Sequence, residues 1–188
     1  MEKVIIFSAP SGSGKTTVVQ HLLATMPALE FSISATSRAP RAGEVCAKDY
    51  YFMSSDEFKE RIDRGEFIEW EEVYPGKYYG TPKSEPKRIW GSGKLVLFDV
   101  DVYGGLSLKK IFGDRALLLF IMPPSLAELR RRLVGRSTDS LEVINERMAR
   151  AEHELSFSSQ FDRVIVNDRL DQTIAEAEQI INEFAGSR

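Results

Sequence analysis

Cysteine is almost absent from this chain, because Cys46 is alone among 188 residues. A single cysteine excludes an internal disulfide and a cysteine cluster for zinc. Apolar runs long enough to span a membrane are also lacking. An apolar strand pattern begins within the first few residues, so no signal peptide is expected. We therefore expect a protein of the reducing cytoplasm.

A strong charge of one sign is lacking as well. Lys and Arg number 25 and Asp and Glu number 28, which gives a net charge of −3. This balance provides no global attraction to nucleic acid or to an anionic membrane, so any cationic site must be local. A hydrophobic content of 43% and a charged content of 28% are typical of one globular domain of ordinary size.

What the chain does contain is a glycine-rich turn between a strand pattern and a helix pattern. The apolar run 4–7 predicts a buried strand, and apolar residues at helical spacing follow the turn. Gly12 and Gly14 allow backbone N–H groups to approach phosphate oxygens, and the helix N-terminus adds partial positive charge. Lys15 is suited to reach β- and γ-phosphates, and the Thr16 hydroxyl is suited to bind Mg²⁺. The predicted ATP-binding loop comprises Ala9, Pro10, Ser11, Gly12, Ser13, Gly14, Lys15, Thr16 and Thr17.

Strand and helix patterns alternate along most of the remaining chain. Apolar runs such as 95–98 and 116–122 predict buried strands, and helix patterns separate them. We therefore expect an α/β fold, with a parallel sheet and helices on both faces. Ligands of such folds bind beyond the carboxyl ends of the strands, where Asp99, Asp101 and Asn167 fall.

A dense polar segment, residues 34–82, interrupts this alternation and predicts a small inserted module of mixed strands and one helix. Within it, Arg38, Arg41, Tyr50 and Tyr79 are suited to bind a dianionic phosphate. Guanidinium groups match phosphate oxygens in geometry and charge, and each phenol donates one hydrogen bond. An ordinary solvated surface is the alternative interpretation.

The same segment contains candidates for reading a nucleotide base. Glu69, with Ser34 and Thr81, is placed to contact a base edge. A carboxylate only accepts hydrogen bonds, so it suits guanine, which presents N–H groups side by side at N1 and N2, whereas adenine has an acceptor at N1.

Arginines near the C-terminal third of the chain predict a lid. Arg136 lies in a polar break and Arg147 on the next predicted helix, so the two are able to fold over a phosphate chain. Helical spacing cannot place all the nearby arginines on one face, so several of them are expected to be solvated charges.

In chain order, these motifs resemble those of the guanylate kinases. The resemblance spans nearly the whole chain, and its motifs within 34–82 are more specific than the phosphate loop. It implies a P-loop kinase fold and Mg²⁺-dependent transfer of the γ-phosphoryl group of ATP to GMP. It is carried by 9–17, 31–38, 40–44, 48–50, 67–70, 78–81, 98–101, 123–125, 135–136 and 166–168.

The resemblance implies catalytic roles for Lys15, Arg136 and Arg147. Thr16 would bind Mg²⁺ with Asp99 near the metal and the acceptor. Arg132 and Asn167 would flank the adenine of ATP. The residues that would bind GMP are Ser34, Arg38, Arg41, Tyr50, Glu69, Tyr79, Thr81, Asp99 and Asp101.

The implied organisation is one domain over 1–188. Its core comprises 1–33, 83–134 and 158–188; the GMP-binding module is 34–82, and the lid is 135–157. We expect the module and the lid to move over their substrates, since closure must exclude water that would hydrolyse ATP. The expected partners are ATP and GMP, with dGMP left open, and neither nucleic acid nor a membrane.

Two departures from the family pattern are visible. Ala9 stands where the full phosphate-loop pattern has its first glycine. A gap near 75–76 leaves Tyr78 as the alternative to Tyr79 at the GMP phosphate. A general base is not expected, because a phosphate acceptor with a second pKa of about 6 is already largely ionised, and His21 and His153 lie far from the motifs.

Two other functions stay open at this point. A kinase for another nucleoside monophosphate would share the loop and lid and differ in the base. A scaffold domain of guanylate-kinase shape would bind phosphopeptides, but such domains usually have a degraded phosphate loop, whereas Gly14, Lys15 and Thr16 are intact.

Overall fold

A computed structural model describes residues 2–136 and 141–187, without the side chains of Arg136 and Leu141. Within that part of the chain, the strands are β1 (Val4–Ser8), β2 (Leu29–Phe31), β3 (Ala35–Thr36), β4 (Tyr51–Phe52), β5 (Phe67–Tyr74), β6 (Lys77–Pro82), β7 (Leu95–Asp99), β8 (Ala116–Met122) and β9 (Arg163–Val166). The α-helices are α1 (Lys15–Thr25), α2 (Ser55–Asp63), α3 (Ser84–Gly91), α4 (Val102–Phe112), α5 (Leu126–Arg136), α6 (Leu141–Leu155) and α7 (Leu170–Gly186).

The larger sheet has five strands in the order β2-β7-β1-β8-β9. Strands β1 and β8 pair in parallel, with Val4 opposite Ala116 and Ser8 opposite Phe120. Strands β8 and β9 also pair in parallel. Every residue of β1 is buried, as expected for a parallel strand covered on both faces. The predicted fold class, a parallel sheet flanked by helices, is confirmed.

A separate four-stranded sheet has the order β4-β3-β6-β5 and is mixed. Strands β3 and β4 run parallel, whereas β6 runs antiparallel to both β3 and β5. Phe58 from α2 packs with Ala35, Phe67 and Tyr78 to form the core of this sheet. The small sheet therefore has a hydrophobic core of its own.

The sequence pattern over 31–36 predicts one strand, and this prediction is wrong. The chain instead forms β2 and β3, which belong to different sheets. Between them, the backbone N–H of Ile33 donates to the buried carboxylate of Glu85 at 2.9 Å. Because the Ile33 N–H donates to the Glu85 side chain, the stretch with alternating polarity is divided between β2 and β3.

The chain divides into two compact units. The smaller unit comprises Met1–Glu2 and Glu30–Val96, and the larger unit comprises Lys3–Leu29 and Leu97–Arg188. Among the described residues, no helix is both long enough and apolar enough to cross a membrane.

In the larger unit, the chain after β7 is attached to the end of β1. Val100 donates its backbone N–H to the Phe7 carbonyl at 3.1 Å, and Ser8 Oγ donates to the Asp101 carbonyl at 3.0 Å. Asp101 also caps α4, since its Oδ1 accepts from the Gly104 N–H at 2.8 Å. These contacts bring the residues after β7 close to the start of the glycine-rich loop.

Candidate active site

The glycine-rich loop has the backbone that the sequence predicts. Gly12 and Gly14 have φ angles of 89° and 91°, in the left-handed region that favours glycine. A Cβ atom at Gly14 would lie only 2.3 Å from Asn167 Nδ2. Helix α1 begins immediately afterwards at Lys15, so the loop feeds directly into a helix N-terminus.

A buried amide side chain fixes the middle of this loop. Asn167 Nδ2 donates to the Ser13 carbonyl at 2.7 Å, and Asn167 Oδ1 accepts from the Thr173 hydroxyl at 3.1 Å. Arg132 donates to the Asn167 carbonyl at 3.0 Å. The structure therefore places Asn167 and Arg132, expected beside adenine, in contact with one another. Thr173 was not singled out from the sequence, where no motif marks it.

The position of Arg132 is in turn fixed by a carboxylate. Glu128 accepts from Arg131 at 2.7 Å and from Arg132 at 2.8 Å. These two guanidinium groups, with Arg131 as the larger cause, lower the pKa of Glu128 to about 2. Glu128 is thus ionised at neutral pH and holds Arg132 towards Asn167.

The loop lysine contacts the end of β7. Lys15 forms an ion pair with Asp99, and its Nζ donates to the Val100 carbonyl at 2.8 Å. The structure thus brings together Lys15, which the sequence assigns to the phosphates, and Asp99, which the family resemblance implies near the metal. Thr16 follows on the exposed first turn of α1.

The predicted lid lies partly outside the described residues. Arg136 ends α5, but its side chain and residues 137–140 are not described. Arg147 is exposed on α6, which packs against α5 through Leu129 and Ile144. The pairing of Arg136 and Arg147 over a phosphate chain therefore stays a prediction.

In the smaller unit, three of the four predicted phosphate-binding side chains are in contact. Arg38 Nε donates to the Tyr79 hydroxyl at 3.1 Å. The Arg38 guanidinium lies 5.0 Å from the centre of the Tyr50 ring, and the Tyr50 and Tyr79 rings meet edge to face. We call Arg38, Tyr50 and Tyr79 the arginine–tyrosine cluster. Arg41 is exposed in the adjacent turn.

The structure distinguishes Tyr79 from its neighbour Tyr78. Alternate residues of β6 point to opposite faces of the sheet. Tyr78 is buried and stacks on Phe58, with ring centres 5.5 Å apart, whereas Tyr79 contacts Arg38. The geometry therefore associates Tyr79 with the cluster and Tyr78 with the core.

A carboxylate that the sequence did not single out completes the surroundings of Arg38. The two terminal nitrogens of Arg38 donate to the two oxygens of Glu44, at 2.6 and 2.7 Å. Arg38, and to a lesser degree the Arg41 backbone N–H, lower the pKa of Glu44 to about 2. The same pairing raises the pKa of Arg38 above its ordinary value. The sequence signals were the proximity of Glu44 to two arginines and its place in the 40–44 motif.

The predicted base-reading residues Glu69 and Thr81 form a cross-strand pair. They are opposite one another on β5 and β6, and the Thr81 hydroxyl donates to Glu69 Oε1 at 2.6 Å. Thr81 is buried, so this bond fixes the carboxylate from its buried side. Ser34 lies just before β3, and its carbonyl accepts from the Tyr51 N–H at 2.9 Å.

A buried carboxylate anchors the segments on which Ser34 and Tyr50 lie. Glu85 accepts from Ile33 N–H at 2.9 Å and from the Tyr51 hydroxyl at 2.8 Å. Burial opposes its ionisation, but hydrogen bonds from Arg88, Ile33 and Tyr51 outweigh burial and lower the pKa of Glu85. Its importance came from contacts distant in sequence, which no motif reveals.

The residues present fit a hard divalent cation held jointly with a nucleotide. Across residues 2–136 and 141–187, no three His, Cys, Asp or Glu side chains form a group able to hold a metal. Mg²⁺ in kinases takes only one or two protein oxygens, together with substrate phosphates and water. The Thr16 hydroxyl and the Asp99 carboxylate supply ligand oxygens of that kind.

Comparison with known proteins identifies the family. The guanylate kinase family model matches residues 1–184. Guanylate kinase of Bacteroides fragilis is 55% identical over 184 residues, covering 98% of this chain and 90% of the relative. That of Porphyromonas gingivalis is 52% identical over 185 residues, covering 98% of both.

A solved structure shows the same relationship. The crystal structure of guanylate kinase from Anaplasma phagocytophilum superimposes with a TM-score of 0.78 at 31% identity, covering 98% of this chain and 87% of that one. The phosphate loop, the Glu69–Thr81 pair and the arginine–tyrosine cluster occur in a chain that matches this family along almost its whole length. The chain belongs to the guanylate kinase family.

Proposed function

We propose that this protein transfers the γ-phosphoryl group of ATP to GMP and forms ADP and GDP, as family membership implies. The observation that carries the choice of acceptor is the Glu69–Thr81 pair, which holds a carboxylate at 2.6 Å from a buried hydroxyl. A fixed carboxylate accepts hydrogen bonds and donates none, so it matches the adjacent N1 and N2 donors of guanine.

In this proposal, the glycine-rich loop binds the ATP phosphates. Backbone N–H groups around Gly12 and Gly14 face the phosphate oxygens, and the N-terminus of α1 adds partial positive charge. Lys15 exchanges the Asp99 carboxylate and the Val100 carbonyl for phosphate oxygens. Arg132 and Asn167 support the loop and flank the adenine.

The arginine–tyrosine cluster, together with Arg41, binds the GMP phosphate. A guanidinium supplies charge and directed donors, and phenols donate without adding charge. Ser34 and Thr81 assist Glu69 at the base, and Asp99 and Asp101 complete the proposed set. We also propose residues 34–82 as the GMP-binding module.

Transfer needs charge compensation more than proton removal. The acceptor phosphate is largely ionised near pH 7, because its second pKa is about 6, so a general base is unnecessary. Lys15, Arg136 and Arg147 would compensate the repulsion between two anionic nucleotides and stabilise charge on the moving phosphoryl group. Residues 135–157 would close over it as a lid and exclude water.

Thr16 and Asp99 would hold a Mg²⁺ ion together with the ATP phosphates. When bound, this ion neutralises charge on the phosphate oxygens. The chain's own contribution is to place the hydroxyl and the carboxylate at the helix start and at the end of β7. The setting we propose is GMP recycling in cytoplasmic purine metabolism.

The direct test is a coupled assay with ATP, Mg²⁺ and a panel of GMP, dGMP, AMP, UMP and TMP. We expect the highest kcat/KM with GMP and weak or no turnover with AMP, UMP and TMP. A preference for AMP or a pyrimidine nucleotide would overturn the proposed acceptor. Production of ADP with no nucleoside diphosphate formed from the added monophosphate would overturn the transfer itself.

A further inference from the structure

One carboxylate organises the turn that follows Arg38, the arginine of the arginine–tyrosine cluster. Glu44 accepts from both terminal nitrogens of Arg38, and its Oε2 also accepts from the Arg41 backbone N–H at 2.7 Å. The Glu44 N–H donates in return to the Arg41 carbonyl at 3.1 Å. Arg38 and Glu44 retain only 10% and 19% of their side-chain exposure. The pair is therefore a partly buried and closed arrangement.

A count of donors shows how completely Arg38 is oriented. A guanidinium has five N–H donors in a fixed plane. Nε donates to Tyr79, one terminal nitrogen donates to Glu44 and to the Ala39 carbonyl at 3.0 Å, and the other donates to Glu44. Four donors are thus used within the smaller unit, and the plane of the guanidinium is fixed relative to the ring of Tyr50.

We propose that Glu44 is a positioning residue for the acceptor phosphate. It holds the Arg38 guanidinium in the orientation in which its remaining N–H and its charge face the phosphate, and it fixes the backbone at Arg41. This inference rests on the proposed function, because it assumes that GMP is the acceptor. Glu44 acts through Arg38 and does not itself contact the nucleotide.

The alternative role for Glu44 is competition with the GMP phosphate for Arg38. A carboxylate on both terminal nitrogens occupies the positions that a phosphate would take, so Glu44 would then compete with GMP. Positioning and competition predict changes of opposite sign in the affinity for GMP when Glu44 is removed. Loss of a positioning carboxylate weakens GMP binding, whereas loss of a competing carboxylate strengthens it.

The experiment compares Glu44→Gln and Glu44→Ala with the wild-type enzyme in steady-state kinetics with both nucleotides varied. We expect KM for GMP to rise about tenfold in Glu44→Ala, the loss typical of a charged hydrogen bond, and by less in Glu44→Gln. KM for ATP and kcat should stay unchanged. Glu57→Gln is the matched control, because it removes another Glu–Arg pair of the same unit, to Arg61, and should alter neither KM.

A double-mutant cycle tests whether the effect passes through Arg38. In an Arg38→Ala background, Glu44→Ala should raise KM for GMP little further. An equal rise in that background, or an unchanged or lower KM in the single variants, would overturn the proposal. Circular dichroism checks that each variant folds. If Glu44→Ala does not fold, Glu44→Gln replaces it in the comparison and in the double-mutant cycle. Wild-type enzyme that forms no GDP would overturn both this inference and the proposed function, whereas normal GMP turnover with an unaffected Glu44→Ala would overturn this inference alone.

Discussion

The phosphate loop of the larger unit and the arginine–tyrosine cluster of the smaller unit are fixed by different means. A buried amide and a backbone carbonyl, Asn167 and Ser13, hold the loop. A partly buried ion pair, Arg38 with Glu44, holds the cluster. In the proposed function, the loop would bind phosphate mainly through backbone N–H groups, so its shape must be fixed. The cluster would bind the GMP phosphate through a charged side chain, which needs an opposite charge for its orientation.

The largest effect is expected from Lys15→Ala. Its ammonium is the only charged side-chain group in residues 9–17 and would compensate the transferring phosphoryl group, so kcat should fall by about 100-fold or more. Steady-state kinetics measures this loss, and circular dichroism should show an intact fold. Lys110→Ala, on the exposed side of α4, is the control that should retain full activity. Near-normal turnover of Lys15→Ala would refute the assigned role.

Gly14→Ala should break the loop itself. The new Cβ would require a φ of 91° and would approach Asn167 Nδ2 to 2.3 Å. We expect KM for ATP to rise by about tenfold or more, with little change in KM for GMP. Gly186→Ala provides the comparison, because a Cβ there meets nothing within 4 Å. Equal losses for both nucleotides would contradict the assignment of the loop to ATP.

Glu69→Ala should alter the choice of acceptor. Removal of the carboxylate takes away the proposed partner of the guanine N–H groups, so the preference for GMP over AMP should fall about tenfold or more in kcat/KM. Glu60→Ala, on the exposed side of α2, should leave the preference intact. An undiminished preference in Glu69→Ala would remove this residue from base reading.

Thr173→Val sharpens the comparison on the side of the loop. The substitution keeps the shape of the side chain but removes the donor to Asn167 Oδ1. We expect KM for ATP to rise about threefold to tenfold, since one buried hydrogen bond is lost, and Thr173→Ser should restore it. If KM for ATP stays raised in Thr173→Ser, the effect of Thr173→Val comes from altered packing and not from the lost hydrogen bond.

The smallest effect concerns stability at low pH. In the larger unit, Arg131 lowers the pKa of Glu128 to about 2. In the smaller unit, Arg38 lowers the pKa of Glu44 to about 2. Because the unfolded value is near 4.3, these pairs stabilise the fold fully above that pH and lose their contribution as the pH falls towards 2. Glu128→Gln and Glu44→Gln should each flatten the fall of Tm between pH 4.5 and 2. If Tm falls between pH 4.5 and 2 in both variants as it does in the wild-type protein, the proposed contribution of the two ion pairs to stability would be contradicted.

Much of the fold and part of the site followed from local sequence patterns. The buried strand before the loop, the glycine turn and the helix at Lys15 are neighbours along the chain, so their spacing predicts them. Ser54 and Ser125 precede α2 and α5, and the hydroxyl of each accepts from a backbone N–H of its helix at 3.1 Å, as serine caps do. The grouping of Arg38 with two tyrosines was expected from residue chemistry, and the structure shows contact of Arg38 with Tyr50 and Tyr79.

The contacts that the sequence did not predict join residues that lie far apart along the chain. Asn167 reaches Ser13 across 154 positions, and Thr173 then fixes Asn167. Glu85 takes the backbone donor of Ile33 across 52 positions, which divides a stretch whose alternation predicts one strand. Such tertiary hydrogen bonds override local propensity, so they become visible only when the sheets are assembled.

Titration calorimetry of Lys15→Ala and Glu69→Ala, each with GMP and with a non-hydrolysable ATP analogue plus Mg²⁺, tests the central claim most directly. The claim is that separate sets of residues hold the two nucleotides. We predict that Lys15→Ala loses affinity for the ATP analogue and keeps its affinity for GMP, and that Glu69→Ala shows the reverse. Parallel losses of both affinities in both variants would contradict the account.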